Sequence, residues 1–209
     1  MMDLKPVQWV KHVVTHPFEG FEDMRWKKSG SLKIAFFIVF LLFLSLIAKE
    51  RLYGFQFHSS YNKTFNIIPY IARSIIIFTA WVISNRAVGT FLDGEGTMKN
   101  ICIYSAYALV PYVSQNFINT FLSHFLIRDE FVFMRAIEII GICWTSLLLF
   151  SSVKSVHQYT FRKTVFAIIL VIVSMMIMLV LLVLFLSLIQ QIYNFILTVY
   201  TEISYRVRV

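Results

Sequence analysis

Three side chains combine ionisable chemistry with an apolar setting: Arg73, Arg135 and Glu138. Arg135 and Glu138 are three residues apart, which places them on one face of a helix. Glu138 lies seven residues into the apolar run Phe131–Val153, and Arg73 six residues into the run Ile67–Ser84. By rise per residue, these depths are about 6–10 Å below a common surface. Gln115, Asn116, Asn119 and His124 sit in the outer half of a third run. Ionisable groups at such depth face a bundle interior and pair. Two chemistries stay open for the cluster of Arg73, Arg135, Glu138, Asn116, Asn119 and His124. It is polar glue between helices, or a polar cavity open to the outside that binds a solute or couples to a partner.

No catalytic constellation competes with that cluster. His-Glu-x-x-His and Gly-x-Ser-x-Gly are absent, so neither a zinc protease nor a serine hydrolase is indicated. Gly94-Glu95-Gly96-Thr97-Met98-Lys99 has the glycines of a phosphate loop. It lacks the Gly-Lys-Ser/Thr ending and a preceding strand, so no nucleotide site is expected. The stretch reads as a turn with Thr97 capping the next helix. Asp93 and Glu95 alone are a poor calcium site. Cys102 and Cys143 are about 15 Å apart in depth, too far for a disulfide. The five His show no metal-ligand spacing. The expectation is no metal, no cofactor, no nucleic acid and no catalytic residue.

The elements that must position these residues are membrane helices. Of 209 residues 58% are hydrophobic and only 14% charged, against roughly 25% charged in a soluble domain. A soluble globule of this size cannot hide that much apolar surface. A disordered chain, a disulfide-stapled domain and a membrane β-barrel are excluded too, since a barrel shows short alternating strands. Five apolar runs can be marked: Leu32–Ala48, Ile67–Ser84, Ile101–Ile127 with Pro111 inside it, Phe131–Val153, and Val165 to about Leu197. The last would measure roughly 50 Å as one helix, longer than a hydrocarbon core of about 30 Å. The first run follows 31 residues and has no Ala-x-Ala site after it, so it reads as an uncleaved anchor. The expected fold is an all-α polytopic bundle of five transmembrane helices. Its parts are an N-terminal segment 1–31, a membrane domain 32–200 and a C-terminal tail 201–209.

Basic residues orient this bundle. Lys5, Lys11, Arg25, Lys27, Lys28, Lys33, Arg86, Lys99, Lys154, Arg162 and Lys163 fall on one side. Lys49, Arg51, Lys63, Arg128, Arg206 and Arg208 fall on the other. The excess places the N-terminus in the cytoplasm, and five spans then place the C-terminus outside. The N-terminal segment reads as two amphipathic helices. Pro6 suits a helix start, and Val7, Trp9, Val10, Val13 and Val14 share one arc. His16 precedes Pro17, which disfavours helix there. In the second helix Phe18, Phe21 and Met24 share a face. Such helices lie on the membrane, on a partner, or on both. The phenylalanines of the first run, Phe36, Phe37, Phe40 and Phe43, read as lipid-facing or packing residues. The last run is expected to face lipid or another membrane protein.

Several stretches together resemble the YIP membrane domain, named for Ypt/Rab-interacting proteins. His16-Pro17-Phe18-Glu19-Gly20-Phe21 is similar to the His-Pro-x-x-x-Phe opening of bacterial members. Gly89 to Lys99, continuing through Ser105-Ala106-Tyr107-Ala108-Leu109-Val110-Pro111-Tyr112, is similar to its Gly-x-Gly loop and Ala-Tyr…Pro helix. His157-Gln158-Tyr159-Thr160-Phe161-Arg162-Lys163-Thr164 looks like the segment before its last helix. The resemblance covers about His16 to Tyr200. The eukaryotic Asp-Leu-Tyr-Gly-Pro stretch is absent, so Rab binding and vesicle traffic are not carried over. The resemblance implies a non-enzymatic accessory subunit in a bacterial plasma membrane, associated with membrane lipid and with a transporter such as a carbohydrate ABC importer. Expected cytoplasmic contacts are Trp9, Val13, Phe18, Phe21, Asp93, Glu95, Lys99, His157, Tyr159 and Arg162. A stand-alone small-solute transporter or channel, and a membrane-organising or trafficking factor, are the alternatives.

Overall fold

The computed structural model describes residues 6–27, 29–57 and 66–207, and among them every regular element is helical. Helices α1 (Pro6–Thr15) and α2 (Glu19–Trp26) form a short hairpin, and α3 (Leu32–Arg51) follows. Helix α4 (Ile68–Ile71) runs through a π-helical turn (Ala72–Ile76) into α5 (Ile77–Phe91). Then come α6 (Met98–Ala108), α7 (Val110–Leu122), α8 (Phe131–His157) and α9 (Phe161–Val207). Of the basic residues used for orientation, Lys5, Lys28, Lys63 and Arg208 lie outside the described residues, as does the side chain of Arg206.

Among the described residues four helical stretches are long and apolar enough to cross a membrane: Leu32–Arg51, Ile68–Phe91, Arg128–His157 and Phe161–Ile203. The expected five is therefore corrected to four. The run Ile101–Ile127 is two helices, of 11 and 13 residues. Pro111, near the start of α7, has no N–H to give the Tyr107 carbonyl and so cannot continue α6. The chain tightens instead, and the Leu109 N–H bonds the Ala106 carbonyl at 3.1 Å. Neither half reaches the roughly 20 residues that a span requires.

The broken pair forms the centre. Helices α3 and α8 pack against both α6 and α7, and α5 also packs on α6. Seven of the eleven α6 residues are buried, so α6 is core on nearly every side. The bundle has two ends. The tail end gathers the α1–α2 hairpin, the α5–α6 loop and the α8–α9 turn. The far end gathers the α3 C-terminus, the π turn and the α7–α8 loop.

The hairpin belongs to the same core. Trp9, Val13, Phe21 and Met24 are buried with Ile103, Tyr104 and Tyr107 of α6. The Phe21 and Tyr104 rings lie 5.7 Å apart. Burying Phe21 and Met24 contributes about 1.5–3 kcal/mol for each side chain. The Trp144 indole N–H donates to the Val14 carbonyl at 3.0 Å, which fixes α1 to α8. Most of the apolar faces read from the sequence are thus covered by the protein's own bundle, with Val7 and Phe18 left exposed. Gly20 permits the hairpin to close, because a Cβ there would sit 2.8 Å from the Val13 Cα.

Helix α9 starts in the bundle and leaves it. Ala167 and Val171 are buried beside Val88 and Tyr159, yet every residue from Val180 to Ile203 is exposed. Its 47 residues measure about 70 Å at the α-helical rise. Replacing Gly20 by leucine should push α1 off α2. Limited proteolysis within residues 6–27 should then quicken several-fold, while the membrane core stays resistant.

Candidate functional site

The far-end site is built on Glu138. Its two carboxylate oxygens accept from Lys49 Nζ at 2.7 Å and from Arg135 Nη1 at 2.8 Å. The Arg135–Glu138 pair lies on α8, as its spacing of three predicts, and Lys49 crosses from the last turn of α3. Arg73 is not part of this triad. It sits in the π turn, 3.9 Å from Glu50. The expected Arg–Glu–Arg group is instead a Lys–Glu–Arg group beside a separate Arg73–Glu50 pair.

The amides are distributed along the same interface. Asn116 Nδ2 donates to Ser45 Oγ at 3.3 Å, linking α7 to α3. Asn119 Nδ2 donates to the Met134 carbonyl at 3.1 Å, linking α7 to α8. With its amide nitrogen turned toward α8, Gln115 donates to the carbonyls of Ile137 and Glu138 at 3.1 and 2.7 Å. Gly141 makes room for it, since a Cβ there would lie 2.1 Å from the end of the Gln115 amide. His124 stands apart near the surface, its Nε2 2.8 Å from the Leu52 carbonyl.

The tail-end site is built on His157, the last residue of α8. Gln158 takes a left-handed conformation and its N–H returns to the Lys154 carbonyl, ending the helix. The imidazole is buried. Its Nε2 lies 3.2 Å from Asn85 Oδ1, and its ring stacks on Tyr159 with centroids 5.1 Å apart. A Cβ at Gly89 of α5, or at Gly94 or Gly96 of the loop, would fall 2.4, 2.3 or 2.7 Å from the ring. The glycines of the phosphate-loop-like stretch therefore cradle a histidine rather than a phosphate. Arg86 donates to the Gly96 carbonyl at 2.6 Å and holds the loop down. His157 Nδ1, Asn85 Nδ2 and the Tyr159 hydroxyl have no hydrogen-bond partner among the described residues. Burial first, and then the nearby Asp93 carboxylate, push the Tyr159 phenol above its ordinary range.

Arg25 clips the hairpin to this site. It pairs with Glu95 and donates to the Ser155 carbonyl at 2.9 Å. Lys154 reaches Glu22 at 3.3 Å. Of the expected tail-end contact residues, Trp9, Val13, Phe21, His157 and Tyr159 are buried in the protein's own packing. Phe18, Asp93, Glu95, Lys99 and Arg162 are exposed. Sequence reasoning missed Lys49, Asn85 and Arg25. Lys49 resembles an ordinary charge at a helix end, and Arg25 an interfacial anchor. Asn85 stands one residue beyond the run Ile67–Ser84, where a polar residue carries no signal of its own.

Chemically, both sites hold helices together. Among the described residues no three His, Cys, Asp or Glu gather as metal ligands, and both cysteines are free. Sequence comparison decides the family. The Yip1 domain matches residues 11–201. The chain belongs to the Yip1 domain family. No curated protein and no solved structure matches it. It is a multi-spanning membrane protein of that family. Replacing Glu138 by glutamine should cost about 2 kcal/mol, because hydrogen bonds to charged groups weaken. The thermal midpoint in detergent should fall accordingly. Adding Lys49→Met should restore part of it, since removing both partners is milder than orphaning one.

Proposed function

We propose that this Yip1 domain protein is a membrane-organising factor that works by shape and attachment, without catalysis. The observation carrying the reading is the hairpin fastened to one end of the bundle. Its buried faces are spent on the core, yet Trp26 remains 81% exposed beside Lys27, and Phe18 is 55% exposed. Phe91 and Phe161, at the same end, are exposed as well. Aromatic side chains next to lysines are the composition of a membrane–water interface. A rigid hairpin bearing them on one end wedges a single leaflet, which bends or clusters the membrane.

The tail end is assigned to the cytoplasmic side of a plasma membrane. Lys11, Arg25, Lys27, Arg86, Lys99, Lys154, Arg162 and Lys163 gather there, and basic residues favour that side. A cysteine introduced at Asp93 should resist a membrane-impermeant maleimide in intact cells and react after lysis. Labelling before lysis would reverse the assignment. The bacterial branch is favoured by His16-Pro17…Phe21 and by the missing Asp-Leu-Tyr-Gly-Pro stretch.

A second reading, an accessory subunit of a transporter such as a carbohydrate importer, is favoured by α9. Its exposed apolar length exceeds one bilayer and offers a side to another membrane protein. One comparison separates the two. Purified protein in vesicles of native lipid should tubulate or cluster them, and Phe18→Ser with Trp26→Ser should reduce this several-fold at unchanged helicity. Unaltered vesicles, with permease subunits co-purifying stoichiometrically from native membranes, would shift the conclusion to the second reading. Solute flux through the chain alone would make it a transporter.

A further inference from the structure

At the far end a cavity of about 620 Å³ opens between α3, the π turn with α5, and α6. That volume is in the range of ligand pockets, roughly 300–1,000 Å³. Its walls are apolar, with Leu42, Leu46, Ile77 and Phe78 among them, and its charged side chains are Lys49, Glu50 and Arg73. A second cavity of about 660 Å³ lies across Phe78, which lines both, and apart from Thr79 and Cys102 its lining is wholly aliphatic or aromatic. Phe40 and Ile75 belong to this second lining.

The charges differ in how firmly they are engaged. Lys49 is held by Glu138 at 2.7 Å. Arg73 is 3.9 Å from Glu50, beyond hydrogen-bond reach, and its side chain is 63% exposed. A guanidinium presents a planar fork that matches a phosphate bidentately. Arg73 also sits in the π-helical turn Ala72–Ile76, the kind of local insertion that often marks functional sites in helices. With Lys49, Arg135 and Arg73 against Glu50 and Glu138, the group carries one net positive charge. An apolar double cavity with a cationic rim fits an amphiphile with two chains and one negative charge.

We propose that this is a binding site for an anionic two-chain phospholipid, with its phosphate on Arg73 and one acyl chain on each side of Phe78. Lipid is the committed occupant, because free phosphate leaves both apolar cavities unfilled. The site lies at the opposite end from the hairpin, so it stands or falls independently of membrane bending. Leu46 is half-buried in the wall, and a larger side chain there shortens the chain cavity.

The test is native mass spectrometry of the full chain purified in mild detergent and titrated with phosphatidylglycerol or phosphatidylcholine. Wild type should retain one phosphatidylglycerol at least several-fold more strongly than phosphatidylcholine. Arg73→Gln should abolish that preference, and Leu46→Trp should lower retention of both lipids. Arg73→Lys keeps the charge, tests the fork alone if the glutamine variant fails to fold, and should bind with intermediate strength. Equal retention of the two lipids by wild type would overturn the proposal. So would retention unchanged in Arg73→Gln and Leu46→Trp, or displacement of the lipid by inorganic phosphate.

Discussion

The constraint that organises this protein is the break at Leu109–Pro111. A helix interrupted in the middle of an apolar bundle frees backbone groups that lipid cannot satisfy. Non-helical backbone at that depth is tolerated only inside protein. Helix α6 and the polar face of α7 are therefore covered by the surrounding helices, while Phe117, Ile118 and Phe121 of α7 stay exposed. Helices α3 and α8 flank both halves, α5 closes one side of α6, and the α1–α2 hairpin covers the remaining side. The hairpin is the piece that a membrane-only bundle lacks. Its residues Phe21 and Met24 are fully buried because α6 has no lipid-facing side at that end.

With the polar face of α7 turned inward, its polar residues acquire a purpose. An uninterrupted lipid-facing helix would not carry Gln115, Asn116 and Asn119 at low cost. Inside the bundle each amide finds a partner on α3 or α8. The same enclosure explains Gly141, whose missing Cβ is the space that Gln115 occupies. At the tail end Gly89 and Gly94 do the same for His157. Gly89, Gly94 and Gly141 mark where a polar side chain crosses between helices.

Much of this was legible from single residues, and what was not follows a pattern. The Arg135–Glu138 pair came from spacing along one helix, which needs no knowledge of neighbours. The family came from short stretches that also sit at structural joints: the hairpin opening, the glycine loop and the His157 turn. Arg73 stands beside Glu50 and not in the Glu138 group where its position along the chain suggested it. Depth follows from counting residues, whereas the direction a side chain points depends on how helices are rotated, and the π turn changes that rotation locally. The count of five spans failed for a related reason. Composition registers an apolar run whether or not its backbone is continuous, and Pro111 makes it two short helices. The apolar faces of α1 and α2 were visible, but nothing in one sequence says whether lipid, a partner or the chain itself covers such a face.

The two ends also differ in how they are closed, and that difference bears on what each can do. At the tail end the contacts join elements distant in sequence: Arg25 to Glu95 and Ser155, Lys154 to Glu22, His157 to Asn85. Such cross-links make hairpin, loop and turn one rigid unit, suited to pressing on something outside it. At the far end Glu138 is tightly paired, but Arg73 is tied only loosely and sits in a turn that departs from α-helical geometry. Apolar space lies open beneath it. An arginine left partly unengaged over an apolar hollow is costly in a membrane unless an anion meets it. The bundle supplies Glu50 only at 3.9 Å, and the proposed lipid phosphate would complete the counter-charge. Rigidity at one end and incompleteness at the other thus follow from one design. The core spends its packing on α6 and the inner face of α7, while Arg73 in the π turn and the outer length of α9 are left to what surrounds the protein.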